Sequence, residues 1–189
     1  MNEINRSGSY EIKNVSEKGF LEIRPQNEFQ IDKAKSYWQN ECTFTKGYEL
    51  EKDGFKFKTD RLGRTVSAEG EIKITENKEK RDMPPMEDVG KGYQREDDDR
   101  GHLIAHMFGG PDTLENLVPQ NSHLNRSDYN LYENKLKKAV ESGSQVYLKV
   151  EPRYERESMR PTELRMISTI DGEKTVTTFR NEERQKRTC

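Results

Sequence analysis

The sequence predicts an α+β domain built around an antiparallel sheet. Three observations lead there: alternating apolar and polar stretches before residue 75, more of them after residue 145, and one amphipathic helix between. "YELEKDGFKFKTD" and "TVSAEGEIKI" alternate, with Asp53-Gly54 and Leu62-Gly63 between the apolar runs, which predicts a meander with hairpin turns. "QVYLKVEPRY" and "ELRMISTIDGEKTVTTF" read as strands, the second a hairpin about Asp171-Gly172. The helix lies in "SDYNLYENKLKKAVESG", where Tyr129, Tyr132, Leu136 and Val140 share one face. Ser127 or Asp128 is placed to cap its start, and Gly143 ends it. That stripe is read as core and not as a platform on which bases stack.

Between the strands and the helix, "TENKEKRDMPPMEDVGKGYQRE" is charged and broken by Pro and Gly, so it reads as one long loop. "HLIAHMF" is a short apolar run, taken as a strand, ended by Gly109-Gly110-Pro111, and a second loop carries "NLVPQNSHLN". Residues 1–45 have no clear period. "DKAKSYWQNECTF" within them is a candidate short helix, and the segment as a whole is read as an arm or linker. Trp38 and Cys42 there are assigned to packing.

At 189 residues the chain fits one domain, 46–189, behind that arm. Hydrophobic residues are 30% and charged residues 36%, with mean hydropathy −1.18, which leaves a lean core. No apolar run approaches the ~20 residues that span a bilayer. "MNEINRSGSY" lacks the apolar centre of a signal peptide. Two cysteines, Cys42 and Cys189, make a poor disulfide framework. A net charge of −2 neither implies nor excludes a nucleic-acid partner, because location matters more than the sum. Lys135, Lys137, Lys138 and the tail "FRNEERQKR" gather positive charge.

The chemistry concentrates in "EDDDRGHLIAHMFGGPDTLENLVPQNSHLN". His102 is a general-base candidate near neutral pH. Gly101 before it allows close approach of a ligand or a backbone conformation closed to other residues, and Arg100 offers a planar fork that suits phosphate oxygens. Downstream amides stand next to a helix N-terminus, where free N–H groups favour anions. Hydrolysis of a phosphodiester needs a base for water, a hard cation for the growing charge, and a few oxygen ligands to hold it. Asn125 and Glu133, eight residues apart on a helix, can lie toward one side and serve the last need. The acid run itself has two readings: attraction of a hydrated cation, or, for Asp97 and Asp98 in particular, a solvated turn. His102 and His106 are four apart, but Gly101 and Gly109-Gly110 disfavour a helix and Leu103 stands where an HExxH zinc site needs Glu. His106 is therefore read as structural or groove-lining, and His123 as a surface residue.

"DRGH", "NLVPQNSHLN" and "YENKL", in this order and spacing, resemble the DNA/RNA non-specific endonuclease family, the ββα-metal or His-Me finger nucleases. The likeness runs from about Tyr48 to Phe179, and "TDRLGRTVSAEGEI" with "GHLIAHMFGG" is similar to the branch found as C-terminal domains of secreted bacterial polymorphic (LXG-type) toxins. The resemblance implies a ββα-metal motif with flanking helices on the sheet. It further implies His102 as general base, Asn125 as the direct protein ligand of Mg²⁺, Glu133 holding metal-bound water, Arg100 on the phosphate, and Asp99 positioning the turn or a metal-bound water. Mn²⁺ is expected to substitute. A further arginine is expected from the preceding loop, Arg81 or Arg95, and the choice stays open. DNA, and RNA as well, is the expected substrate, since such a site reads phosphate and sugar.

The toxin branch also implies a cognate immunity protein and export by a type VII-like system without a cleavable signal, from the bacterial cytoplasm to a target cell. The chain lacks the long helical targeting region of those toxins, so it is read as an excised toxin domain or a stand-alone relative. The rival reading is a catalytically silent binding module on the same fold, and the intact His102, Asn125 and Glu133 argue against it.

Overall fold

A computed structural model describes residues 47–75 and 82–182, together with the backbone of the pair Leu21–Glu22. The candidate helix "DKAKSYWQNECTF", Trp38, Cys42, Arg81 and Cys189 lie outside these residues.

The alternating stretches become strands. A seven-stranded sheet runs in the order β1-β2-β3-β4-β7-β8-β9, formed by β1 (Leu21–Glu22), β2 (Tyr48–Lys52), β3 (Phe55–Thr59), β4 (Thr65–Glu71), β7 (Val146–Arg153), β8 (Glu163–Ile170) and β9 (Glu173–Arg180). Every neighbouring pair is antiparallel except β1 with β2, a two-residue parallel edge that the sequence did not foretell. Asp53 and Gly54 have φ of 53° and 80°, and Asp171 and Gly172 have 49° and 89°. Two successive positive φ values match the right-handed twist of a two-residue hairpin, which is why these dipeptides close β2–β3 and β8–β9.

Alternation also decides which face is buried. Leu50, Phe55, Phe57, Ala68, Leu148, Val150, Leu164 and Met166 form the inner face. Burying each large apolar side chain contributes about 1.5–3 kcal/mol, so this face anchors everything laid on it. β9 is different. Its burial is confined to positions near its end, and Val176 is exposed on the outer edge of the sheet.

The stretch between β4 and β7 carries the remaining elements. α1 (Met86–Gly90) is one short turn inside what the sequence presented as unbroken loop, and it packs against β5 and β6. β5 (Asp98–His102) pairs antiparallel with β6 (Leu117–Asn121), Asp98 opposite Asn121 and His102 opposite Leu117. The strand on "HLIAHMF" is thus displaced: it covers "DDRGH", while His106–Phe108 forms a 3₁₀ turn. "LVPQN" is likewise a strand where a loop was expected. Pro119 fits this two-stranded ribbon because only one side of β6 is paired.

Three consecutive segments then form helix α2: Ser122–Leu124, a π-helical Asn125–Tyr129, and Asn130–Glu141. Its cap is Asn121, whose Oδ1 accepts from Leu124 N at 3.2 Å, and not Ser127 or Asp128. The helix therefore begins well upstream of its apolar stripe, since a short polar first turn shows no 3.6-residue pattern. Tyr129 and Leu136 are buried, Tyr132 and Val140 partly so, as the spacing predicts. Tyr132 Oη meets Ser168 Oγ of β8 at 2.9 Å, and Phe179 of β9 packs against the rings of Tyr129 and Tyr132. β5, β6 and α2 make a ββα unit seated on the large sheet, an α+β arrangement as expected.

Candidate active site

β5 carries Asp99, Arg100 and His102, and α2 carries Asn125 and Glu133. Asn125 Nδ2 donates to Asp99 Oδ2 at 3.0 Å. That bond fixes which end of the carboxamide faces the strand and leaves its oxygen as the donor atom for a ligand. Asp99 is clasped from the other side by Arg126, whose Nε and Nη2 reach its two oxygens at 2.8 and 2.6 Å. Burial pushes the Asp99 carboxyl up, but the bonds from Arg126 and Asn125 outweigh it and hold it below the usual carboxylate range. Asp99 is thus a fixed anion whose contacts orient Asn125.

The π-helical segment lies between Asn125 and Glu133. In an unbroken α-helix, residues eight apart fall about 80° out of line. One π-bulge inserts a residue into the turn, takes out about 100°, and returns the pair to within roughly 20° of each other. Glu133 is half-buried, and this local widening brings the two helix positions toward one side.

His102 ends β5 in a second contact set. Its Nε2 lies 2.7 Å from Asp112 Oδ1, and the His106 ring stands 6.3 Å from its own, edge on. The two sets hang on one strand three residues apart, roughly 10 Å along an extended chain. Arg100 Nη1 donates to the carbonyls of Pro84 and Met83 at 3.0 and 3.3 Å, which ties the segment before α1 to the strand. Its Nε and Nη2 make no hydrogen bond among the described residues and remain for an anion. Arg95 is exposed, with its backbone N–H on Asp98 Oδ2 at 2.8 Å. His123 is exposed, as read from the sequence.

Several sequence readings change here. Gly101 does not adopt a positive φ. A Cβ there would lie 2.0 Å from Gln120 Oε1, so the glycine makes room for a buried side chain of β6 and not for a ligand. Asp98 is no solvated residue: its side chain is 0% exposed and forms a two-pronged pair with Arg160, 7% exposed, at 2.7 and 2.8 Å. Asp97 does stand exposed in the turn before β5, as read, and its carboxylate also accepts from Asn121 Nδ2. The acid run divides its work, with Asp97 and Asp98 fastening the hairpin and Asp99 fixing Asn125. His106 does approach His102, through a 3₁₀ turn and not a helix. Asp112 and Arg126 were missed. Arg126 was legible only as the neighbour of Asn125, and Asp112 was masked by Gly-Gly-Pro, which signals a turn and nothing more.

Among the described residues no helix is long and apolar enough to cross a membrane. Residues 45–172 match the family described as DNA/RNA non-specific endonuclease. The chain is 39% identical over 95 residues to the type VII secretion system protein EssD of Staphylococcus aureus strain USA300, and equally to that of strain Newman. The aligned stretch is 47% of this chain and only 15% of those proteins. Among solved structures, NucA from Streptococcus agalactiae with magnesium bound superposes with a TM-score of 0.56 at 18% identity, over 82% of this chain and 89% of that one. That likeness is one of fold. With more than half of its length matched and the ββα unit in place, the chain belongs to the DNA/RNA non-specific endonuclease family.

Proposed function

We propose that this chain hydrolyses phosphodiester bonds of DNA and RNA without sequence preference, with Mg²⁺ at Asn125 and His102 as the base that activates water. The observation that carries the reading is the Asp99–Asn125 bond: a strand carboxylate, itself paired with Arg126, holds the amide nitrogen of Asn125 in the first turns of a helix, which commits its oxygen to the ligand. The donors on offer there, an amide oxygen and the Glu133 carboxylate, are hard and few. That set suits Mg²⁺, which keeps most of its own waters, and it accepts Mn²⁺. A divalent cation held by Asn125 supplies the positive charge that offsets the charge growing on phosphorus oxygens and leaving group.

The chain's own groups do the rest. Glu133 orients water toward the Asn125 side. Arg100 offers its two unbonded guanidinium nitrogens to a phosphate oxygen, while Nη1 keeps the fork in place through the Met83 and Pro84 carbonyls. His102 takes the proton of the attacking water. The upstream arginine of this family is supplied by Arg81 or Arg95. Plasmid DNA and total RNA incubated with Mg²⁺ are expected to be degraded, EDTA to stop this, and His102→Ala to slow it ~10²–10⁴-fold. Equal degradation in all three conditions sinks the assignment, and band shifts without cleavage point to a silent binding module.

The similarity to EssD over 95 residues supports a toxin role, with export through a type VII-like system, action in a target cell, and neutralisation by an immunity protein. Export, target and partner all rest on that likeness. Expression of the wild-type chain alone is expected to stop growth of a bacterial host, while His102→Ala and Glu133→Ala are tolerated. Equal growth arrest by all three rejects the toxin reading.

A further inference from the structure

His102, His106 and Asp112 bring three ligand atoms within 4.8 Å of one another. His102 Nε2 is 2.7 Å from Asp112 Oδ1, and His106 Nδ1 is 3.5 Å from the same oxygen. The three side chains are only 11%, 16% and 14% exposed. His106 Nδ1 is buried and makes no hydrogen bond among the described residues, although it lies 3.5 Å from Asp112 Oδ1. A buried ring nitrogen left without a hydrogen bond is uncommon, and a cation shared with the Asp112 carboxylate would satisfy it.

Two imidazoles and one carboxylate are the donor set of a borderline ion, and Mg²⁺ does not favour it. Around zinc, with bonds of about 2.0–2.1 Å, tetrahedral ligand atoms sit roughly 3.3 Å apart. The two separations above lie on either side of that figure, so small side-chain shifts suffice. The loop that presents the trio is held. Asn116 Nδ2 donates to the carbonyls of Ile104 and Pro111 at 2.8 and 3.0 Å, and its Oδ1 accepts from Ile104 N at 2.9 Å. Gly110 lets this loop close, since a Cβ there would lie 1.9 Å from the Ile104 oxygen.

We propose that His102 Nε2, His106 Nδ1 and Asp112 Oδ1 bind one zinc ion, separate from the Asn125 position, and that zinc there switches the nuclease off. The first half stands on geometry alone. The second rests on His102 being the base: a ring coordinated to a dication is pinned toward Asp112 and draws a proton from water less readily.

The test is to titrate ZnCl₂ calorimetrically, in excess MgCl₂, into metal-stripped wild-type chain and into His106→Ala, Asp112→Asn and Asn125→Ala, with circular dichroism to confirm folding. Wild type and Asn125→Ala are expected to bind one zinc per chain. His106→Ala and Asp112→Asn are expected to weaken binding about a hundredfold or more, since loss of a supporting residue alone weakens metal sites 10–100-fold. His106→Gln keeps the bulk of the ring's place should the alanine variant unfold. Cleavage is followed in parallel, each protein normalised to its own Mg²⁺-supported rate. Wild type should be inhibited as one zinc binds and recover on chelation, while His106→Ala should resist. Absent binding, or binding lost in Asn125→Ala and kept in His106→Ala, overturns the zinc site. Zinc bound by the trio with cleavage unaffected overturns the switch. Zinc bound by the trio in a chain that never cleaves leaves the metal site standing and removes the hydrolase reading.

Discussion

At the scale of single residues, the site depends on small exclusions as much as on reactive groups. Gly101 shows this. Gln120 is fully buried, and its carboxamide lies where a side chain at residue 101 would have to be. Gly101→Ala is therefore expected to destabilise the chain by about 1–3 kcal/mol, as overpacking does, while shifting β5 against β6. Urea denaturation reads the first effect, and the rate of plasmid nicking by the folded fraction reads the second. An unchanged midpoint and rate would show that Gln120 swings aside freely. Asp99, Arg100, His102, Asn125 and Glu133 stand out in the sequence because their order and spacing are specific, and the structure sets them on one strand and one helix. The reasons for their neighbours were not legible. A string of letters shows that a glycine precedes His102, but not that a glutamine nineteen positions later fills the space beside it.

Among elements, the strands that alternate strictly were legible to within about three residues, and the irregular ones were not. β7 and β8 pair along eight residues with inner positions buried, which is the pattern a half-buried sheet imposes. β6 is buried at every position, so it has no alternation to detect. α2 was found by its stripe but not by its start, because the capped first turn and the π segment carry polar residues. One cross-strand pair yields a pH prediction. Glu151 of β7 sits opposite Arg165 of β8 and beside Lys149. Burial pushes its carboxyl up, but bonds from Arg165 and Lys149 prevail and hold it below the usual range. A lowered folded-state value means that the stabilisation is complete above the unfolded value of about 4.3 and fades as pH falls through the lower, folded one. The gap in melting temperature between wild type and Glu151→Gln should be constant above about pH 5 and close in more acid solution. For so exposed a pair the gap corresponds to no more than about 1 kcal/mol. A gap that widens toward acid contradicts the assignment.

For the molecule as a whole, the ββα unit shares one apolar core with the large sheet, and a set of buried polar contacts fastens the two as well. Arg160, in the β7–β8 connection, pairs with Asp98 of β5 and donates to the Asn181 carbonyl at 2.8 Å. Asn181, just past β9, accepts from Asn121 N at 2.8 Å and donates to the carbonyls of Pro119 and Pro161 at 2.9 and 2.8 Å. Arg160→Ala strands a buried carboxylate, and such losses run to about 3–5 kcal/mol. That is a large part of the ~5–15 kcal/mol by which domains are stable. The variant should lose several degrees of melting temperature, and Arg160→Met with Asp98→Leu should regain much of it. If the double variant fares no better than the single, the pair is not the fastening. None of this was legible beforehand, because tertiary polar contacts sixty residues apart leave no periodic trace.

Asn181 has an implication for how the enzyme is made. A growing chain leaves the ribosome from its first residue onward, so β5, β6 and α2 emerge long before the amide that latches them to the sheet. Until β9 has emerged and folded back, the hairpin bearing His102 lacks the bonds that Asn181 makes to Asn121 N and to the Pro119 carbonyl. Docking of that hairpin thus waits on an amide that lies sixty positions further along the chain than the strand it holds.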